Sequence, residues 1–337
     1  MADHAARLTK FLADRGEPVE FVQLTADAST REYYRVRRHG GDAVACVYPE
    51  PFVAAEQTYL DSSRLFLTAG LPVAEILDED ESLGVIIQED LGDRILRDEM
   101  SGPDVERRSR LRGEAISLIA RIQQATDLAF ETNAIASTLQ FNTEKLNWEL
   151  DFFKTHYFET YLRHPLSPAE DGKLSAEFKE LAAELETYAS VLCHRDFHAA
   201  NLMLDGRDRM RIIDHQDARI GSASYDLVSL LLDRITDLPS REWLAEKRKF
   251  FLEMRVKLGL PRLDEEEFAY QFRLQTIQRC LKAAGTFSFQ SATRGKTYFV
   301  PFIIPMFRIS LRAAESLGRF HCIQKILLRE IDRSEQL

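Results

Sequence analysis

The spacing of apolar residues changes once along this 337-residue chain, near Gly92, and that change constrains its fold most. Before Gly92, apolar residues fall in short β-branched or aromatic runs at 19–25 (VEFVQLT), 33–38 (YYRVRR) and 42–49 (DAVACVYP). Asp27, Ser29 and the Gly40-Gly41 pair punctuate these runs as turns. A helix is expected over Val53–Ala69, stopped by Gly70 with Pro72 just beyond. Two more strands are expected at 73–78 and 83–89, joined through a polar turn around Asp80. After Gly92, apolar residues recur at helical spacing in Val105–Ala125, Glu144–Tyr161, Ala169–Ala189, Trp243–Leu258 and Glu265–Ala284. One segment breaks this pattern. Residues 201–214 form two apolar runs around Asp205-Gly206, which reads as a β-hairpin. The chain is therefore expected to be α+β, with a small antiparallel β-rich lobe over 1–91, a connector at 88–92 and a larger helical lobe over 92–337. A cleft between such lobes is a common place for a ligand.

Composition narrows the function. Apolar residues are 45% and charged residues 29%, the balance of a globular protein rather than a disordered one. Lys and Arg number 44 against 54 Asp and Glu, a net charge of −10, which argues against a nucleic-acid partner. The four cysteines are scattered and form no CxxC, so a zinc ribbon is not expected and a reducing compartment is. Asp3, Arg7, Lys10 and Asp14 interrupt the first residues, leaving no apolar signal stretch. The most apolar segment, Phe299–Phe307, is nine residues long with two prolines, far short of a membrane span. These features together predict a soluble, cytoplasmic protein with no membrane partner.

The strongest chemical signal is His194-Arg-Asp196-Phe-His-Ala-Ala-Asn201, followed by the hairpin and Ile213-Asp214. A hairpin folds the chain back, so Asn201 and Asp214 are expected side by side at its open end. An amide oxygen and a carboxylate are hard ligands that suit Mg²⁺, with substrate phosphates completing its shell. A carboxylate near such a metal but not on it, here Asp196, can accept a proton from a substrate hydroxyl. These are the parts of phosphoryl transfer.

HRDFHAAN followed by IIDHQD resembles the aminoglycoside phosphotransferase and choline kinase superfamily, a branch of the protein-kinase-like fold. The resemblance implies a two-lobed kinase using ATP and Mg²⁺. It implies Asp196 as the catalytic base and Asn201 and Asp214 as metal ligands. It gives Asp226, in Ser224-Tyr-Asp-Leu227, a supporting bond to the catalytic-loop backbone. It makes Glu89-Asp90-Leu91-Gly92 a hinge that reads adenine through backbone groups. It places Ser29, Thr30 and Arg31 in the phosphate-covering loop, which here has no glycines. The ADAS-x-R-x-Y-x-R loop, EDLG, HRDFH-x-x-NLM, IDHQDA, YDLVSLL and the run Gln278–Phe287 are most similar to the anomeric kinases of N-acetylmuramate and N-acetylglucosamine in cell-wall recycling. An amino-sugar acceptor phosphorylated at its anomeric hydroxyl is therefore expected.

One departure stands out. The third-strand Lys that pairs the α- and β-phosphates in kinases is absent from Val44-Ala-Cys-Val-Tyr48, so Arg31 or Arg35 is expected to supply the cation. Candidate acceptor contacts are Glu149, for a substrate hydroxyl or amine, and Arg279 with Lys282, for a sugar or carboxylate. The plainer reading of that last pair is a solvated basic helix face. Three other functions stay open. One is a kinase for aminoglycosides, choline or another amine. Another is a non-catalytic nucleotide-binding module. The third is a metal-dependent hydrolase with zinc on His194, Asp196, His198, Asp214 and His215.

Overall fold

Alternation in the first strands sorts their side chains onto two faces, and each face is covered by a helix. The computed structural model describes residues 4–24 and 31–336. It divides into two compact units. One comprises Met1–Leu111, Asp127–Ala136 and Ala199–Ala218; the other comprises Arg112–Thr126, Ser137–His198 and Arg219–Leu337.

The first unit begins with helix α1 (His4–Asp14) and contains strands β1 (Phe21–Leu24), β2 (Glu32–Arg38) and β3 (Gly41–Val47). Helix α2 (Thr58–Thr68) follows, then β4 (Ile76–Asp80) and β5 (Val85–Glu89). The sheet is antiparallel in the order β1-β2-β3-β5-β4. Tyr34, Val36, Ala43, Ala45, Val47, Val85 and Ile87 bury one face against Leu8, Phe11 and Leu12 of α1. Cys46 and Ile86 bury the other against Tyr59 and Leu60 of α2, with Tyr33 and Tyr48 beside them. Five consecutive residues of β3 are buried because both faces are covered. The expected helix over Val53–Ala69 is two pieces. A 3₁₀ turn at Ala54–Glu56 is broken by Gln57, whose extended backbone (φ −80°, ψ 104°) caps α2.

The same unit holds α3 (Leu96–Met100), most of α5 (Thr126–Glu131) and the beginnings of α4 (Val105–Gln124) and α6 (Ile135–Thr138). It also holds the hairpin. The other unit supplies helices α7 (Thr143–Lys154) and α8 (Pro168–Thr187) and strand β6 (Val191–Cys193). The hairpin strands are β7 (Leu202–Leu204) and β8 (Met210–Ile212), joined by a five-residue loop rather than a two-residue turn. Asp205 closes that loop by accepting from the Arg207 and Arg209 amides at 2.9 and 3.0 Å. Ile95 bridges Met203, and Val73 bridges Ile212, so the hairpin is tied into the sheet unit on both edges.

In the helical unit, β6 pairs antiparallel with β9 (Arg219–Gly221). Helices α9 (Tyr225–Leu232) and α10 (Arg241–Lys257) lead to α11 (Glu265–Arg294), a 30-residue helix buried along most of its length. Its periodicity runs ten residues beyond the expected end at Ala284, to Gly295, which takes the left-handed conformation (φ 68°) of a helix stop. A Cβ at Gly285 of α11 would lie 2.6 Å from the Phe153 Cα of α7, so the two backbones meet there with room only for glycine. The expected helix over Glu144–Tyr161 is α7 followed by a π-helical turn, Thr155–Tyr161. Phe153, Tyr157 and Phe158 pack together with Phe307, as a core role for this aromatic run requires. The segment Phe299–Phe307 enters α12 (Ile303–Leu317), with Pro305 in the first turn, where no intrahelical amide donor is needed. Helix α13 (His321–Glu335) ends the unit. No helix among the described residues is long and apolar enough to cross a membrane.

Candidate active site

The predicted site residues fall into two clusters, one in each unit. In the helical unit the loop after β6 is fixed from below. Asp226, fully buried at the start of α9, accepts the His194 amide at 2.7 Å and the Arg195 amide at 3.0 Å. Burial pushes the Asp226 carboxyl above its ordinary pKa, opposed by His194 and by these two donors. Arg195 adopts φ 85°, a strained conformation for a side-chain-bearing residue. The loop presents Asp196, whose Oδ1 accepts from Lys282 Nζ at 3.1 Å. Arg279 Nη1 lies 3.7 Å from the same oxygen, and Arg195 Nε 3.8 Å from Oδ2. Burial works to raise the Asp196 pKa, but Lys282, Arg195, Arg279 and His198 overcome it and hold the carboxyl well below its ordinary value.

Arg279 and Lys282 therefore do not form a solvated helix face. Arg279 is buried on the Tyr225 ring, 4.9 Å from its centroid, and donates to Ser229 Oγ. Glu149 is also buried. Its Oε2 accepts from Gln278 at 2.8 Å, and its Oε1 has no hydrogen-bond partner, with Arg195 Nη2 4.0 Å away. Behind Glu149 runs a buried relay in which Gln278 Oε1 accepts from Gln275 and Gln275 Oε1 accepts from Ser222. Three cations thus surround two carboxylates, Asp196 and Glu149.

In the sheet unit, Asn201 ends a 3₁₀ turn just before β7, and Asp214 follows β8. The Ile213 amide donates to the Asn201 carbonyl at 3.1 Å, closing the open end of the hairpin. Asn201 Nδ2 donates to Asp214 Oδ2 at 3.2 Å, so the two side chains are adjacent as expected. Asp214 takes φ 65°, accepts from Gln216 at 2.9 Å, and has Arg31 Nη2 3.8 Å from its Oδ1. An amide oxygen and a half-exposed carboxylate held together by backbone hydrogen bonds fit a hard divalent cation.

Arg35 has a different role from Arg31. Its guanidinium is clamped by Asp90 at 2.5 Å and by Asp93 at 2.9 Å. Glu89 is held by Arg211 of β8, and Leu91 is buried. Ser29 and Thr30 lie outside the described residues. The third strand, which carries no Lys, presents Cys46, buried among Tyr33, Tyr48, Tyr59 and Ile86, with its thiol pushed up to about 11 by desolvation.

The zinc arrangement lacks its ligands. His215 is fully buried, stacked on Phe66 with Tyr59 5.0 Å away, and its Nε2 contacts Ser63 Oγ at 2.8 Å. Among the described residues, no three His, Cys, Asp or Glu side chains gather as a metal-binding group.

Sequence reasoning missed Arg195, Gln275, Gln278 and Arg211 as participants. Arg195 sat inside the quoted motif, and its place in it was the available signal. Nothing local could pair Gln278 with Glu149, which are 129 residues apart.

The chain is 29% identical over 296 residues to the N-acetylmuramate/N-acetylglucosamine kinase of Neisseria meningitidis, covering 86% of this chain and 85% of that one. It is 28% identical to the protein of the same name from Caulobacter vibrioides, covering 90% of each. Among solved structures, choline kinase from Streptococcus pneumoniae superposes with a TM-score of 0.57 at 12% identity, over 92% of this chain and 98% of that one. That likeness shows a protein-kinase-like fold. The sequence pattern of the phosphotransferase enzyme family (APH) matches residues 20–265, and the chain belongs to that family.

Proposed function

We propose that this phosphotransferase moves the γ-phosphoryl group of ATP to a hydroxyl of an amino sugar, the anomeric hydroxyl of an N-acetylmuramate or N-acetylglucosamine type of acceptor. The observation that carries the acceptor class is the charge around Asp196. Arg195, Arg279 and Lys282 all lie within 3.8 Å of the Asp196 carboxylate, so a cationic choline or aminoglycoside would meet like charge beside it. An uncharged or carboxylate-bearing sugar would not. Two relatives with that substrate in their names support the same reading.

In this reading Asp196 orients the acceptor hydroxyl and receives its proton. A carboxylate held so far below its ordinary pKa is a weak base. It suits an anomeric hydroxyl, which is more acidic than an ordinary alcohol. Glu149 Oε1, buried and unpartnered, accepts from a second sugar hydroxyl or an acetamido N–H. Asn201 and Asp214 hold Mg²⁺, which supplies charge neutralisation at the phosphates when bound. Positioning and electrostatics account for most of the rate. The direct test is an acceptor panel with ATP consumption as readout, followed by a ³¹P spectrum of the product of N-acetylmuramate. Coupling of the new phosphorus to the anomeric proton is the expected result. Turnover of choline or kanamycin, with none of N-acetylated sugars, would defeat the proposal.

Two further expectations arise here. Arg31→Ala should raise the KM for ATP roughly ten- to hundredfold, the loss of one charge-assisted phosphate contact, with the acceptor KM unchanged. Arg35→Ala is the control, because Arg35 is already clamped by Asp90 and Asp93. A rise confined to Arg35→Ala would move the phosphate contact to that residue. Lys282→Met should shift the pH profile. The depressed Asp196 carboxyl stays ionised as pH falls through its ordinary value of 3.8. Removing its nearest cation raises its pKa, so the acid limb of kcat/KM should move to higher pH. An unmoved limb would mean that Lys282 does not set the charge state of Asp196.

A further inference from the structure

Outside the cluster around Asp196, the helical unit contains a cavity of about 420 Å³ bounded by α10, α11 and α12. Four arginines line it: Arg241 and Arg248 from α10, Arg273 from α11 and Arg312 from α12. Glu315 is the acid in the lining. Helical spacing explains part of the convergence, since Arg241, Leu244 and Arg248 fall on one face of α10. Among the described residues, none of the four guanidinium groups lies within 4.0 Å of a carboxylate oxygen or donates a hydrogen bond. Elsewhere buried or half-buried arginines of this chain meet acids, as with Arg211 on Glu89 and Arg319 on Glu184. Arg312 Nη2 is buried without a partner.

Burial and like charge, from Arg273 on Arg248 and from Arg241 on Arg312, hold Arg248 and Arg312 below the ordinary arginine pKa. The acids that act on these two are Glu265 for Arg248 and Glu242 for Arg312, both at helix starts. Leu244, Phe272 and Ile309 add an apolar lining. Concentrating unpaired cations in a concavity costs free energy that a bound anion would recover. Arginine's planar fork matches phosphate and carboxylate oxygens.

We propose that this cavity binds a small dianion, a carbon skeleton carrying two phosphate or carboxylate groups. One group sits between Arg241 and Arg312, the other between Arg248 and Arg273, and the skeleton lies on Leu244, Phe272 and Ile309. The site shares no residue with the Asp196 or Asp214 clusters.

The test is calorimetric titration of the full chain at low ionic strength with EDTA present. The probes are inorganic phosphate and linear α,ω-bisphosphonates with one to four methylenes between the phosphorus atoms. One chain length should bind at least tenfold more tightly than phosphate. Arg248→Gln and Arg312→Gln should each weaken it at least tenfold, whereas Asp214→Asn should leave it unchanged. Arg312→Gln should not melt below the wild type, since it removes a cation with no acid partner. Three results would overturn the proposal. One is bisphosphonates binding no better than phosphate. Another is tight binding that survives both arginine substitutions. The third is a polyglutamate peptide or an oligonucleotide that outcompetes every bisphosphonate, which would make the cavity part of a macromolecular interface.

Discussion

Asp196→Asn should leave the fold and nucleotide binding intact and lower kcat by roughly 10²–10⁴-fold, the range for loss of a general base. The substitution is isosteric, and an amide oxygen can still accept from Lys282, which now donates at 3.1 Å. What disappears is the negative charge. The acceptor hydroxyl then has no group to take its proton, and Arg195, Arg279 and Lys282 lose the carboxylate they share. The acceptor KM should change far less than kcat, because a proton acceptor acts most strongly in the transition state. Measured kcat within twofold of wild type would remove Asp196 from the mechanism.

Asp214→Ala should have the second large effect, abolishing turnover by at least roughly 10³-fold and weakening Mg²⁺-dependent nucleotide binding, because a metal clamp supplies several kcal/mol to phosphoryl transfer. Asn201→Ala should be milder, since it removes a neutral ligand and leaves the carboxylate in place. The structure adds a second consequence for Asp214. Its carboxylate also faces Arg31 at 3.8 Å and accepts from Gln216 at 2.9 Å. Alanine there removes the carboxylate facing Arg31, so metal-free ATP should bind no worse than to the wild type while the metal complex binds worse. Nucleotide titrations with and without Mg²⁺ separate the two. Activity of the wild type that survives complete chelation of divalent cations would end the metal assignment.

The parts of the site that could be read in the sequence are local. His194 through Asp214 is a loop and a hairpin, and a hairpin brings its own ends together, so Asn201 and Asp214 had to be neighbours once the turn was recognised. The antiparallel sheet was equally legible, because β2, β3 and β5 lie in short β-branched or aromatic runs separated by turn residues. Helix α1 carried its signal too, with Leu8, Phe11 and Leu12 at helical spacing, but a segment read for leader character is not being read for amphipathicity. Helix α12 was hidden by Pro301 and Pro305, which stop a helix interior yet are harmless at its start. The surroundings of Asp196 were illegible for a different reason. Lys282 lies 86 residues from Asp196, and its basic neighbourhood on α11 looks in sequence like any solvated face. The fold decides whether such a face meets water or a carboxylate.

The glycine contact between α7 and α11 makes those two helices a gauge for the acceptor cluster. Glu149 stands one turn before Phe153 on α7, and Lys282 stands about one turn before Gly285 on α11. The helices can separate only if something intrudes at their point of contact. A methyl group at 285 would start 2.6 Å from the Phe153 Cα, where ordinary contact begins at 3.4 Å, so the backbones would have to part by about 0.8 Å. That stretch would pull Gln278 beyond hydrogen-bonding reach of Glu149, now 2.8 Å away. It would also shift the cations on α11 relative to the acid on α7. Displacements near 1 Å can cost about 10²-fold in rate. Gly285→Ala should therefore behave as an active-site substitution with a rise in acceptor KM and a fall in kcat, although residue 285 has no side chain with which to touch a substrate. A variant that merely melted earlier, with unchanged kinetics below its transition, would show that α7 and α11 can separate without disturbing the acceptor cluster.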